Sequence, residues 1–71
     1  MRYSQVSLAV TLYDDDMFRA TIVVTRWREG RMHSSDVARQ GWADSDHVEE
    51  LISDFVLEVV QSERDLKLTR G

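Results

Sequence analysis

The chain has 71 residues, a net charge of −4 and no cysteine, so it forms one small domain, 1–71, with no disulfide and no thiolate metal site. A domain this short buries only about 60% of the surface of its unfolded chain, and without disulfides or a metal, self-association is the common way to add stability. The acidic balance argues against nucleic acid as the main partner. No apolar run approaches the ~20 residues that span a bilayer, and the N-terminal residues alternate rather than forming a signal-peptide core, so a cytoplasmic protein is expected.

Residues 3–13, YSQVSLAVTLY, alternate with period two. Val6, Leu8, Val10 and Leu12 fall on one face, as a half-buried strand requires. Asp14, Asp15 and Asp16 interrupt the pattern, and a second strand over 17–27 resumes it with Phe18, Ala20, Ile22 and Val24. Pairing Leu12 with Phe18 also pairs Val10 with Ala20, Leu8 with Ile22 and Val6 with Val24, so every apolar residue meets another. A slip of one residue would turn one strand's apolar set to solvent. This register leaves the three aspartates as a three-residue loop, where one residue takes the left-handed region that aspartate tolerates. On the opposite face it pairs Tyr3 with Trp27.

Glu29 and Gly30 mark the next turn, with glycine supplying a positive φ. A third strand is expected over 31–38 at a sheet edge, although its alternation is poor. The helix is the clearest element. Val48, Leu51, Ile52, Phe55, Val56, Val59 and Val60 recur at helical spacing, which predicts a helix over about 45–62. Asp44, Ser45 or Asp46 supplies its N-cap, and Asp46 with Glu49 fits a capping-box variant. Trp42, just before the cap, is expected to close the core over the helix start. Residues 65–71 form a tail with a brief alternation at Leu66 and Leu68. The fold class is therefore α+β: a three-stranded antiparallel sheet in β-β-β-α order, one face packed by a C-terminal helix.

The glycine-then-acidic-cap pattern QGWADSDHVEEL, following three strands, resembles the small domain of HicB-type antitoxins. The resemblance implies a three-stranded sheet backed by a helix. The proline-containing segment that precedes the glycine in that family is missing here, and no functional residue carries over. The double-stranded-RNA-binding fold shares the order β-β-β-α, but the acidic helix start here would repel phosphate.

Chemistry-bearing motifs are sparse. The aspartates at 14–16 lack the alternating acids, glycine and distal glutamate of a calcium loop. His33, Ser34 and Asp36 are neighbours in sequence, but adjacent strand residues point to opposite faces, so they do not assemble a nucleophile. No glycine-rich phosphate loop is present. No catalytic, cofactor-binding or metal-binding residue is assigned, and the chain is read as a non-enzyme.

Charge is unevenly distributed. Residues 19–39 hold five arginines against Glu29 and Asp36, while residues 44–65 hold eight acids against Arg64. Arg26, Trp27, Arg28 and Arg31 combine the residue types enriched at protein hot spots, and they form the expected partner-binding site. The helix's apolar arc is broad. Val56, Leu57 and Val60 with Leu66 or Leu68, or else the outer sheet face around Trp27, are the expected homodimer surface. The expected function is a small, self-associating, non-catalytic protein-binding module, a regulator or inhibitor, with a protein partner. The excess of arginine over lysine suggests a bacterial or phage origin. The alternative is a nucleic-acid-binding protein that uses the hairpin at 26–31.

Overall fold

A computed structural model of the chain describes residues 1–69, and side chains through Lys67. Three strands and one helix follow in order: β1 (Arg2–Leu12), β2 (Phe18–Arg28), β3 (Arg31–Ala43) and α1 (Val48–Thr69). The sheet is antiparallel with spatial order β1-β2-β3, and α1 packs on one face. The α+β architecture expected from the alternating and helical patterns is therefore present.

The β1–β2 register is the one the apolar alternation dictates. Leu12 faces Phe18, Val10 faces Ala20, Leu8 faces Ile22, Val6 faces Val24, and Tyr3 faces Trp27. Asp14–Asp16 form the loop. Tyr13 N–H donates to the Met17 carbonyl at 2.9 Å, and Asp16 sits in the left-handed region at φ 63°. The Asp15 carboxylate accepts the Met17 N–H at 3.1 Å, which fixes the turn. The second turn has two residues, Glu29 (φ 53°) and Gly30 (φ 75°), between paired Arg28 and Arg31. Positive φ at both positions is the two-residue hairpin turn whose twist matches the strands it joins.

β3 is longer than expected, running to Ala43 instead of about residue 38. Its pairing with β2 shifts twice, between Ile22 and Val23 and between Arg26 and Trp27, so that Ala38 and His33 are each skipped. Each shift resets which residues share a face, and this is why β3 shows no clean period in sequence. The pairing puts Gly41 and Ala43 on the helix side and Trp42 opposite Arg19 on the other face. Trp42 therefore does not close the core over the helix start: it is 52% exposed and packs on Tyr13, with ring centroids 4.9 Å apart.

The core is thin. Ala20, Ile22 and Val24 of β2 meet Phe55 and Val59 of α1, with Leu51, Ile52 and Val56 partly buried around them. Gly41 lets α1 come close, since a Cβ there would lie 2.8 Å from the Phe55 ring. Three contacts tie α1 to β2 and β3: Phe55 over Gly41, an Arg39–Glu58 ion pair at 3.1 Å, and an Arg26–Glu63 ion pair. α1 lies mainly over β2 and β3 and touches β1 least, so the apolar face of β1 is only partly covered.

The helix start and end both differ from expectation. Asp44 is the cap: its Oδ1 accepts the N–H groups of Asp46 and His47, each at 3.1 Å. The Asp46–Glu49 capping box does not form among the described residues. Residues 45–47 make a turn, and the helix begins at Val48. It continues to Thr69, through the residues expected as a tail, because neither proline nor glycine interrupts the sequence before Gly71.

Candidate functional site

The stretch Arg26–Arg31 does not act as one cluster, because strand alternation divides it between two faces. Trp27 lies on the face away from α1. It stacks on Tyr3 with centroids 6.0 Å apart and an interplanar angle of 13°, and its indole N–H donates to Gln5 Oε1 at 2.7 Å. Arg26 points to the helix side, where both of its terminal nitrogens donate to the Glu63 carboxylate, the longer bond measuring 3.1 Å. Glu63's hydrogen bonds raise the Arg26 pKa further above its ordinary value, so the guanidinium stays charged. Both residues thus have structural contacts.

Arg28 and Arg31 stand in a different arrangement. Arg28 pairs with Arg31 across β2–β3 and with Arg2 across β1–β2. The three arginines form one cross-strand row on the helix side, at the end of the sheet away from the aspartate turn. All three are exposed, and none forms an ion pair among the described residues. Like charges placed opposite one another in a sheet repel. A groove of about 720 Å³ runs beside this row, lined by Arg2, Arg28, Val6, Val60, Leu66 and Lys67 among others. Nearby, the N-terminal ammonium lies 3.4 Å from Glu29, which ties the chain start to the same hairpin turn.

β1 is the most distinctive surface. All eleven of its residues are exposed, although four of them carry the apolar face of the alternating pattern. Val6, Leu8, Val10 and Leu12 retain 37%, 44%, 44% and 60% of their surface, against 0% for Ile22, their neighbour on β2. Residues 3–13 include no charged side chain. β1 also pairs with β2 without a single register shift. Among the described residues no strand pairs with its outer edge, which runs without a register shift and, from Tyr3 to Leu12, without a charged side chain. Natural sheets normally blunt such an edge with charges, bulges or a cover. β3, the other edge, carries Arg31, Asp36 and Arg39 and both bulges.

Hydrogen-bond direction along β1 follows from the loop. The Tyr13–Met17 bond makes the odd-numbered residues the ones bonded to β2. The N–H and C=O groups of Ser4, Val6, Leu8, Val10 and Leu12 therefore point out from the open edge. The residues with free main-chain groups are largely those with exposed apolar side chains.

The helix residues expected at a dimer surface separate into two groups. Leu57 (67% exposed), Val60 and Leu66 are exposed, whereas Val56 packs against the core. Leu68 has its side chain outside the described residues. At the far end of the outer face, Arg19 lies over the rings of Tyr13 and Trp42, 5.5 and 5.9 Å from their centroids. Its Nε is buried without a hydrogen-bond partner, so the ring faces are what this cation meets. His47 is exposed and its Nδ1 lies 2.6 Å from Asp44 Oδ1, in hydrogen-bond contact; Asp44 raises the His47 pKa, and His47 lowers that of Asp44.

No protein family, curated protein or solved structure matches the chain. The likeness to the HicB-type domain is accordingly one of element order. Among the described residues, no helix is long and apolar enough to cross a membrane.

Proposed function

We propose that the chain is a small, non-catalytic protein–protein interaction module that binds by adding a strand to the open edge of β1, and that it self-associates. The observation that carries this reading is the exposure of β1 along its whole length, combined with the absence of charge beyond Arg2 and of bulges. Strand addition supplies main-chain hydrogen bonds for affinity, and alternate side chains give specificity. β1 offers both on the same residues. A regulator or inhibitor of bacterial or phage origin is the role this reading fits, with a protein partner held at the edge rather than in a pocket.

Amide hydrogen exchange tests it directly. The outward N–H groups of Val6, Leu8, Val10 and Leu12 exchange freely in the isolated chain and become protected when the edge is occupied. Exchange is compared at low and at high micromolar protein concentration. Free exchange of these amides under every condition, with the odd-numbered amides protected throughout, refutes strand addition.

A second reading, nucleic-acid binding, draws on the arginine row and its groove. It demands a steep loss of affinity with salt, because each neutralised phosphate releases counterions. Labelled single- and double-stranded oligonucleotides at two salt concentrations decide it, and no binding at low salt removes it.

A further inference from the structure

Resting on the strand-addition reading, we infer that the occupant of the β1 edge is a second copy of the chain, running antiparallel, with the two-fold axis at Ala9. Three observations converge on this geometry. The first is the spacing of the apolar residues. Val6, Leu8, Val10 and Leu12 are symmetric about residue 9, so an antiparallel copy centred there pairs Val6 with Leu12 and Leu8 with Val10, twice over. No other centre pairs all four. The second is hydrogen-bond direction. The same four residues present their N–H and C=O groups outward, so this register turns each apolar pair into a hydrogen-bonded pair, about eight main-chain bonds in all.

The third is charge. Counting from Ala9, Tyr13 of one copy stands opposite Gln5 of the other, so the aspartate turn that follows Tyr13 lies beside the partner's strand start at Arg2. The aspartate turn of each copy is thereby brought to the arginine row of its partner. Arg28 and Arg31 lie one and two strand spacings behind Arg2, about 10 and 15 Å from the partner's edge, so Arg2 and then Arg28 carry most of the attraction within the ~8–10 Å screening length. The edge of the arginine row and the aspartate turn, separated within one chain by the length of the sheet, are brought near each other at both ends of the interface. The competing arrangement, helix against helix, is disfavoured on the same grounds. α1 carries six carboxylates against Arg64 and Lys67, and two such helices in contact oppose like charges. Edge pairing keeps the helices apart, builds a six-stranded sheet and joins the two apolar stripes into one strip between them.

The chain holds no cysteine, so site-directed disulfides read the register without interference. Ala9, Ser7 and Thr11 are exposed on the face of β1 away from α1. In the proposed dimer the two Ala9 residues form a non-hydrogen-bonded pair with Cα atoms ~4.5 Å apart, inside the range a disulfide spans. Two Ser7 residues, or two Thr11 residues, lie ~14 Å apart, but Ser7 of one copy faces Thr11 of the other. The experiment combines light scattering of the unmodified protein with mild oxidation of Ala9→Cys, Ser7→Cys and Thr11→Cys, with folding checked by circular dichroism. The expected result is a dimeric mass at tens of micromolar and efficient cross-linking of Ala9→Cys. Ser7→Cys and Thr11→Cys do not cross-link alone but do so when mixed. A dimeric mass with cross-linking no faster at residue 9 than at residue 7 overturns the Ala9 axis, while the exchange measurement still judges strand addition separately. A monomeric mass at the highest soluble concentration overturns the second-copy inference, together with the expectation of self-association.

Discussion

Leu8 and Ile22 face each other across the β1–β2 ladder on the same side of the sheet, yet Ile22 is fully buried and Leu8 is 44% exposed. Truncating each to alanine measures what α1 covers. Either change removes about three carbon groups, worth roughly 0.8 kcal/mol each when wholly withdrawn from water. For Ile22→Ala the full transfer loss of about 2.4 kcal/mol applies. A cavity between Val24, Phe55 and Val59 adds to it, bringing the expected cost to about 3–4 kcal/mol. Leu8 is a little over half buried and borders solvent, so no closed cavity forms, and Leu8→Ala should cost about 1–1.5 kcal/mol in dilute solution. For a 71-residue domain, the larger loss approaches the whole folding free energy of about 4–10 kcal/mol. Urea unfolding followed by tryptophan fluorescence reads both, with the m-value checked for constancy. The contrast should narrow as protein concentration rises, because an occupied edge makes Leu8 a buried residue. Equal costs for the two variants in dilute solution would refute the reasoning: β1 would then be covered within the single chain.

Three further outcomes are expected. Gly41→Ala places a Cβ against the Phe55 ring and should lower stability by about 1–3 kcal/mol, read as a fall in thermal midpoint. Glu63→Gln keeps the shape of its side chain but removes the charge that faces Arg26; it should cost about 1 kcal/mol at low salt and less at high salt, measured by denaturation at two ionic strengths. The Asp44–His47 pair makes the helix start pH-sensitive. The His47 pKa is raised above 6.5, so its contribution is complete below that value and disappears as pH climbs through the folded pKa. The Asp44 pKa lies below 3.8, so its contribution is complete above that value and disappears as pH falls through the folded pKa. Thermal midpoints of the parent and His47→Ala should differ most between these limits and converge above neutral pH. A constant difference across that range would sink the assignment.

Much of the sheet was legible in sequence because its logic is local. The period-two runs on either side of Asp14–Asp16 admit one register that pairs apolar with apolar, and the structure has that register. The same register already implied Arg2 opposite Arg28, although sequence reasoning stopped at Tyr3 and Trp27. The arginine row was therefore within reach, whereas treating Arg26 to Arg31 as one cluster overlooked the alternation that sends Arg26 and Trp27 to opposite faces. β3 was not legible beyond its start. A bulge leaves no consistent residue type behind, and the two together invert the in-out assignment of residues 34–37 and then restore it, so no single period runs through the strand. The extra helical turns past residue 62 were hidden because Leu66 and Leu68 alternate in a way that also suits a strand. Most consequential was the burial of β1. Alternation announces which face of a strand is apolar, but how fully that face is covered is decided by where α1 lies across the sheet.

The two bulges of β3 also bear on how far assembly can go. A sheet with two flat edges is a polymerisation unit: each copy that joins exposes another template, and the product is a fibre. Here one edge has no register shift and no charge beyond Arg2, while the other is interrupted at His33 and Ala38 and carries charged side chains. On the proposed pairing, each chain therefore has a valence of one. A two-fold pairing through β1 consumes the only competent edge of both copies and leaves β3 as the rim on both sides, so growth terminates at the first step. Straightening β3, for instance by deleting Ala38, would raise the valence to two, and the same small protein would become a candidate for open-ended aggregation.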